Sequence, residues 1–490
     1  MGPGAGGGSG GTVSLTVGAI AGSGAIAAKG GASDGFGGGG GGGRVAISFY
    51  TNLFNGSVVA WGGPGAARGG AGTIYLKARN QSGGYLLVDN GGVPGAFTAA
   101  SAYDYGVDLV VSGGGAWVPT SQQSLKSVVI GSNSCVILSN TYQSLTATTL
   151  VVQRGGAVWA EGLGSITSGL GAGGYVSWQN GYIGGGGGYG GYGGSVTNAK
   201  LRGGIAFGSV ENPTDTGGRG GYYYSYGGGA GGGAIRLTVT DLLQVEGRIS
   251  ANGVSGTNSG AGGGAGGSIL LNVGTLAGSG VISADGGPGL GLGGGGGGGR
   301  ISIQYGVNAF SGAMSACGGP GGEGAAGGAG TIYLKAKSQA GGAMLLVDNG
   351  GRLGTNTPLT GLSGGGLVIQ GGAVAQQMVP LSLSSLLVAS NGWLVATNQA
   401  LSFSGNATIL PGGGILADGR GSAGSQGPGA AYPYSTYGYG YTGGGAGYGG
   451  YGAAGAGGGS ANGGNSYGSI VAPVDPGSGG EGTTSAQYGG

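Results

Sequence analysis

Short stretches in which apolar and polar residues alternate recur along the chain. Val45, Ile47 and Phe49 alternate with Arg44, Ala46, Ser48 and Tyr50, and Ile74 and Leu76 alternate with Tyr75 and Lys77. A period of two places the apolar set on one face of a half-buried strand. Apolar runs centred near Val88, Val110, Val129 and Val151 follow one another at 19 to 22 residues, and those near Val347, Val368, Leu387 and Ile409 do the same. No segment of about ten or more residues combines helical spacing with helix formers. Turn sequences such as "DNGG", "SNG" and "ANG" punctuate the strands. The rhythm predicts an all-β chain wound as a parallel β-helix-like solenoid, with passes of roughly 20 residues stacked on their neighbours.

The pattern is written twice. "GGTVSLTVGAIAGSG" at 10–24 returns as "GGSILLNVGTLAGSG" at 266–280, "GGAGTIYLKA" at 69–78 returns at 327–336, and "LLVDNGG" at 86–92 returns at 345–351. "GYGGYG" at 188–193 returns at 447–452, and the offsets stay between 256 and 259. One unit of about 257 residues is therefore present in tandem, far longer than ankyrin or leucine-rich repeats. Residues 1–231 form the first copy and 257–490 the second. The connecting strands at 232–256, around "AIRLTV", occur once, so both ends are expected to cut the repeat at the same phase.

Directly before the strand at Arg44 stand seven glycines, residues 37–43, and the same seven precede Arg300 at 293–299. A tether need not keep its length. The runs are therefore expected to be extended and ordered, packed where a side chain would not fit, with their backbone groups bonded to neighbouring segments. Two Gly/Tyr tracts, 181–195 with 222–233 and their counterpart at 432–460, read either as solvated loops or as contact surfaces, since tyrosine is rigid and amphipathic and glycine allows close approach.

Composition narrows the class. Glycine contributes 144 of 490 residues, yet only 14 prolines occur and no G-X-Y period, which excludes a collagen helix. Hydrophobic residues make up 39% and charged ones 7%, unlike a disordered polyelectrolyte. A net charge of +2 without a basic cluster lacks the footprint of a nucleic-acid binder. No apolar run approaches the roughly 20 residues of a membrane span. The first residues, "MGPGAGGGSGG", have neither a basic nor an apolar region of a signal peptide, which is absent, removed or upstream. Cys135 and Cys317 are too few for a disulfide framework. Each matches a tryptophan in the other copy, Trp393 and Trp61, so both are expected to be inert, buried packing positions.

Candidate chemistry is sparse. The absence of histidine removes the commonest general base and the usual triads, and the ten aspartates and five glutamates form no close pairs along the sequence. No catalytic residue, cofactor or metal site is assigned, and an enzyme is not expected. Matches to G-x-G-x-x-G abound but lead into strands instead of helices, and Arg44-Val45 stands where a P-loop needs Lys-Ser/Thr. Asp89 and Asn90, and Asp348 and Asn349, could offer oxygens to calcium, but one carboxylate per turn is thin for that ion, and an Asx turn before a left-handed glycine is the expectation. Sequons at Asn55, Asn80 and Asn406 are possible glycan attachment sites, although none has a counterpart in the other copy.

"GGGGGGGR" with its strand, "GGAGTIYLK" and "LLVDNGG" together resemble long glycine-rich tandem-repeat proteins of environmental bacteria, β-helix-like and secreted or carried on the cell surface. The resemblance implies an extracellular structural role and brings no catalytic residue. The resulting expectation is a structural protein that joins head to tail into an extracellular filament or surface fibre, with itself as principal partner. The alternative is a glycan- or surface-binding adhesin module on the same scaffold. A lyase or hydrolase on a β-helix is the third class.

Overall fold

The computed structural model describes residues 4–101, 106–138, 144–164, 169–178, 181–196, 201–222, 227–338, 342–362, 364–397, 399–431, 434–436, 440–455 and 461–480. The chain is all-β, and no helix occurs among these residues. Fifteen strands form one large sheet whose spatial order follows the chain, from Thr12–Thr16 at one edge to Ala407–Ile409 at the other. Between many of these strands the chain adds a short strand to a second sheet, of seven strands running from Thr98–Ala99 to Ala313–Ser315, or to a third of four, from Asn356–Leu359 to Gly414–Leu416. Between the first three it forms two-stranded sheets, Ala19–Gly22 with Thr51–Phe54 and Ala25–Ala27 with Ser57–Val59.

Alternation places the core between the sheets. Val128, Ile130, Leu150 and Val152 of the large sheet are fully buried, and so are Val136, Val158 and Ile249 of the second sheet; all belong to one apolar cluster. Burying each such side chain contributes about 1.5–3 kcal/mol. Parallel pairing sets Val110 level with Val129, and Val129 level with Val151. Val88, however, pairs with Val111, and the partner of Val110 is Leu87. Val347 and Ile409 are likewise one residue out, pairing with Ile369 and Val388. The centre of an apolar run does not say which of its two alternating faces turns inward, and a slip of one residue exchanges them.

Two further departures from the expected rhythm have physical causes. Thr73–Ala78 pairs antiparallel with Tyr85–Asp89, and Thr331–Ala336 with Met344–Asp348, whereas every other neighbouring pair of the large sheet is parallel. Residues 79–84 and 337–343 are too few for a crossover, which takes about a dozen, so each chain turns back in a hairpin. Some passes are also longer than expected: Ile235, Ile269, Ile301 and Ile332 stand level on successive strands, 34, 32 and 31 residues apart. The added length in these passes is glycine-rich.

Candidate functional site: a stacked glycine slab

The glycine segments pack against one another as a slab beside the core. In the run 293–299 the N–H groups turn to a new neighbour at each residue and return every third. Gly293, Gly296 and Gly299 donate to the carbonyls of Leu290, Gly287 and Ala284; Gly294 and Gly297 to those of Gly184 and Gly187; Gly295 and Gly298 to those of Ala325 and Gly328, all at 2.7–3.0 Å. The carbonyls do the same. Those of Gly293 and Gly296 accept from Gly322 and Gly319, those of Gly294 and Gly297 from Gly263 and Gly266, and that of Gly295 from Gly194. A rotation of three residues is that of the extended threefold helix, which makes no internal hydrogen bonds and so points every backbone group at a neighbour.

Glycine is required by this geometry. A Cβ built on any residue from Gly293 to Gly299 would fall on a neighbouring carbonyl oxygen; at Gly296 that oxygen belongs to Gly264. The runs are extended, ordered and bonded to adjacent segments, as their equal length in the two copies implies. The slab has three layers here. Segments 262–267, 293–299 and 324–330 form the middle layer, the return legs 251–256, 284–289 and 316–322 flank one side, and the Gly/Tyr tract 184–194 covers the other.

The first run has only two of these layers. Gly37, Gly40 and Gly43 donate to the carbonyls of Asp34, Gly31 and Ala28, and Gly39 and Gly42 to those of Ala67 and Gly70. Gly38 and Gly41 have no acceptor among the described residues, and a Cβ on either would meet nothing within 4 Å.

The arginine after each run marks the same contrast. Arg300 is 1% exposed. Its Nε donates to the Phe207 carbonyl at 2.9 Å, Nη1 to Thr331 Oγ1 at 3.2 Å, and the guanidinium lies over the Tyr189 ring at 5.6 Å. Burial holds the Arg300 pKa below its usual value and pushes Tyr189 up to about 12. The Tyr189 hydroxyl bonds Ser268 Oγ at 2.6 Å, and Ser268 in turn donates to the Asp215 carbonyl. Arg44 keeps the counterpart bond, Nη1 to Thr73 Oγ1 at 3.4 Å, but is exposed. Sequence reasoning passed over Arg300 and Tyr189; an arginine in the same place after both runs was the available signal.

The paired "VDNGG" segments are Asx turns that also stitch the slab. Asp89 Oδ1 accepts from Gly91 N and Asp348 Oδ1 from Gly350 N, each at 2.8 Å, and both glycines have positive φ, 69° and 62°. Asn90 and Asn349 are fully buried. Asn349 accepts from Gly318 N at 2.7 Å and donates to the carbonyls of Gly327 and Arg352 at 3.3 and 2.7 Å; Asn90 does the same with Gly62, Gly69 and Val93.

Asn55, Asn80 and Asn406 are exposed, Asn80 in a turn and the other two in short connections between strands. Cys135 and Cys317 are free thiols, half-buried instead of buried as expected, because each sits beside a turn at the rim of the core. Burial raises both thiol pKa values, that of Cys317 to about 12 with help from Asp285 and Asp348. Of the Gly/Tyr tracts, 223–226, 432–433, 437–439 and 456–460 lie outside the described residues. Among those described, no helix is long and apolar enough to cross a membrane. No family model, curated protein or solved structure matches this chain.

Proposed function

We propose that this chain is a structural protein: a β-solenoid of two tandem copies, flanked by its glycine slab, that joins head to tail into an extracellular filament or surface fibre. The observation that carries this reading is the order of the large sheet. Its strands follow the chain from one edge to the other, and the outer edges of Thr12–Thr16 and Ala407–Ile409 have no strand partner among the described residues. Such edges present unpaired backbone groups, and a contact that joins one end to the other without closing propagates as a fibre. The extracellular placement rests on the resemblance of the repeat. Negative-stain microscopy of the purified protein at micromolar concentration is expected to reveal filaments whose length grows with concentration. Monomers throughout would overturn the reading.

A second reading, a glycan- or surface-binding module, is favoured by the exposed rings of Phe36, Phe97 and Tyr451. Glycan-array binding by protein that stays monomeric would favour it over the fibre.

A further inference from the structure

We infer that the bare glycine face at residues 38–42 receives the Gly/Tyr segments 443–455 and 461–475 of a second copy of this chain, docked as segments 184–196 and 201–215 dock on residues 294–300 within one chain. The inference rests on the self-assembly reading and assigns its surfaces.

The chain already contains one such joint. Gly294 N donates to Gly184 O at 3.0 Å, Gly297 N to Gly187 O at 2.8 Å, and the N–H groups of Gly190 and Gly191 converge on Gly298 O at 2.9 and 3.0 Å. Counted along the repeat, the receiving groups are the N–H groups of Gly38 and Gly41 and the carbonyl of Gly42, and none has a partner among the described residues. Backbone groups left unpaired on a surface are a template for another backbone.

The donor side is equally bare and already shaped. Tyr448 packs on Tyr467 with ring centroids 4.9 Å apart and planes at 57°, as Tyr189 packs on Phe207 at 4.9 Å and 59°. Tyr448 N bonds Gly450 O, Tyr467 N bonds Tyr448 O and Gly452 N bonds Gly464 O; Tyr189, Phe207 and Gly193 make the same bonds to Gly191, Tyr189 and Gly204. A segment held in its docked form before contact loses little conformational freedom on binding. A Cβ on Gly449 or Gly450 would meet nothing within 4 Å, while one on Gly190 or Gly191 would fall on Gly299 O or Ala329 O.

Apolar surface tells the same story. Val210 is 9% exposed and belongs to the cluster of Ala329 and Tyr333 in the second copy; its counterpart Ile470 is 99% exposed, with Val471 at 90% beside it. In the joint between chains, Ile470 would pack on the part-exposed Tyr75, and Tyr448 would stack on Arg44 of the neighbour, as Tyr189 does on Arg300.

Two differences from the internal joint shape the contact. Ala453 stands where Gly194 is, and a Cβ there would fall on the carbonyl counterpart of Ala325, so the segment leaves the face after Gly452. The strand Ala234–Val245, which lies between Ser144–Val152 and Ser268–Gly278, occurs once in this chain. The contact inferred here lies on the glycine face and its apolar flank, beside the strand edges.

The test uses the full chain and two variants. Gly41→Val places its side chain in open space within the chain, so its thermal midpoint should match the parent; Tyr448→Ala removes the ring from the other surface. Each is expected to raise the concentration needed for assembly at least about tenfold, as loss of a central contact does. Cross-linking of a Lys77→Cys chain mixed with a Val471→Cys chain, the counterparts of Lys335 and Glu211 whose side chains bond at 2.9 Å in the internal joint, is expected to give a mixed dimer. Filaments that form equally well with Gly41→Val, or the absence of that dimer in an assembling sample, would overturn this docking while leaving self-assembly intact. A parent chain that stays monomeric would overturn both.

Discussion

Arg300 and Tyr189 stand 111 positions apart in the chain, yet the guanidinium lies over the phenol ring at 5.6 Å in a site closed to solvent. Among the described residues no carboxylate bonds this arginine; a carbonyl, a hydroxyl and a ring take its place. The pair pins the Gly/Tyr tract of the first copy onto the slab of the second.

Replacing Arg300 by methionine removes the donors while keeping much of the volume, and leaves the Phe207 carbonyl without its donor. A loss of about 1.5–3 kcal/mol is expected, the size of a hydrogen bond to a charged group. Arg44→Met, at the exposed counterpart, should stay within about 0.5 kcal/mol. Denaturant unfolding of both variants checks the contrast.

Valine at Gly40 or Gly296 would drive its Cβ into the carbonyl oxygen of Gly8 or Gly264. Backbone cannot step aside as a flexible side chain can, so each variant is expected to lose about 3 kcal/mol or more, or to fail to fold. Gly11→Val, whose Cβ meets nothing within 4 Å, should express and melt like the parent. Soluble yield and thermal midpoint give the readout.

Asn349 satisfies one N–H and two carbonyls in the buried turn. Aspartate there keeps the acceptor but turns oxygen toward two carbonyl oxygens, so Asn349→Asp is expected to cost more than Asn349→Ala, which itself should cost about 1–3 kcal/mol. Equal unfolding midpoints for the two variants would contradict the assignment.

Asp285 is held above its usual value by burial, which outweighs the bonds it accepts from Ser315 Oγ at 2.8 Å and Cys317 N at 2.7 Å. The folded state thus keeps this proton at a pH where the unfolded chain has released it. Its contribution is present in full below the unfolded value of 3.8 and is lost as pH rises through the folded value. Stability measured upward from about pH 3.5 should fall more steeply for the parent than for Asp285→Asn.

Much of the strand structure was legible because alternation is a side-chain signal: Val45 and Ile47 face inward as their spacing implies. Equal run lengths also marked the glycines as ordered. The layering was not legible, because a glycine segment carries no pattern that says which of its three faces meets which neighbour. Tyr189 shows the limit. It is fully buried, but its tract reads equally as a loop or a contact, and the partner face that decides between them begins at Gly294, about a hundred residues on. The two hairpins after "TIYLKA" escaped notice because the strands on either side look alike whichever way they run.

The glycine slab also bears on how stability changes with temperature. Unfolding a packed apolar core raises the heat capacity, whereas exposing peptide groups lowers it. A slab held by backbone hydrogen bonds and almost free of side chains offsets part of the core's heat-capacity change, and the stability curve of the whole chain flattens. A flatter curve keeps more of its height in the cold, where hydrophobic burial alone weakens.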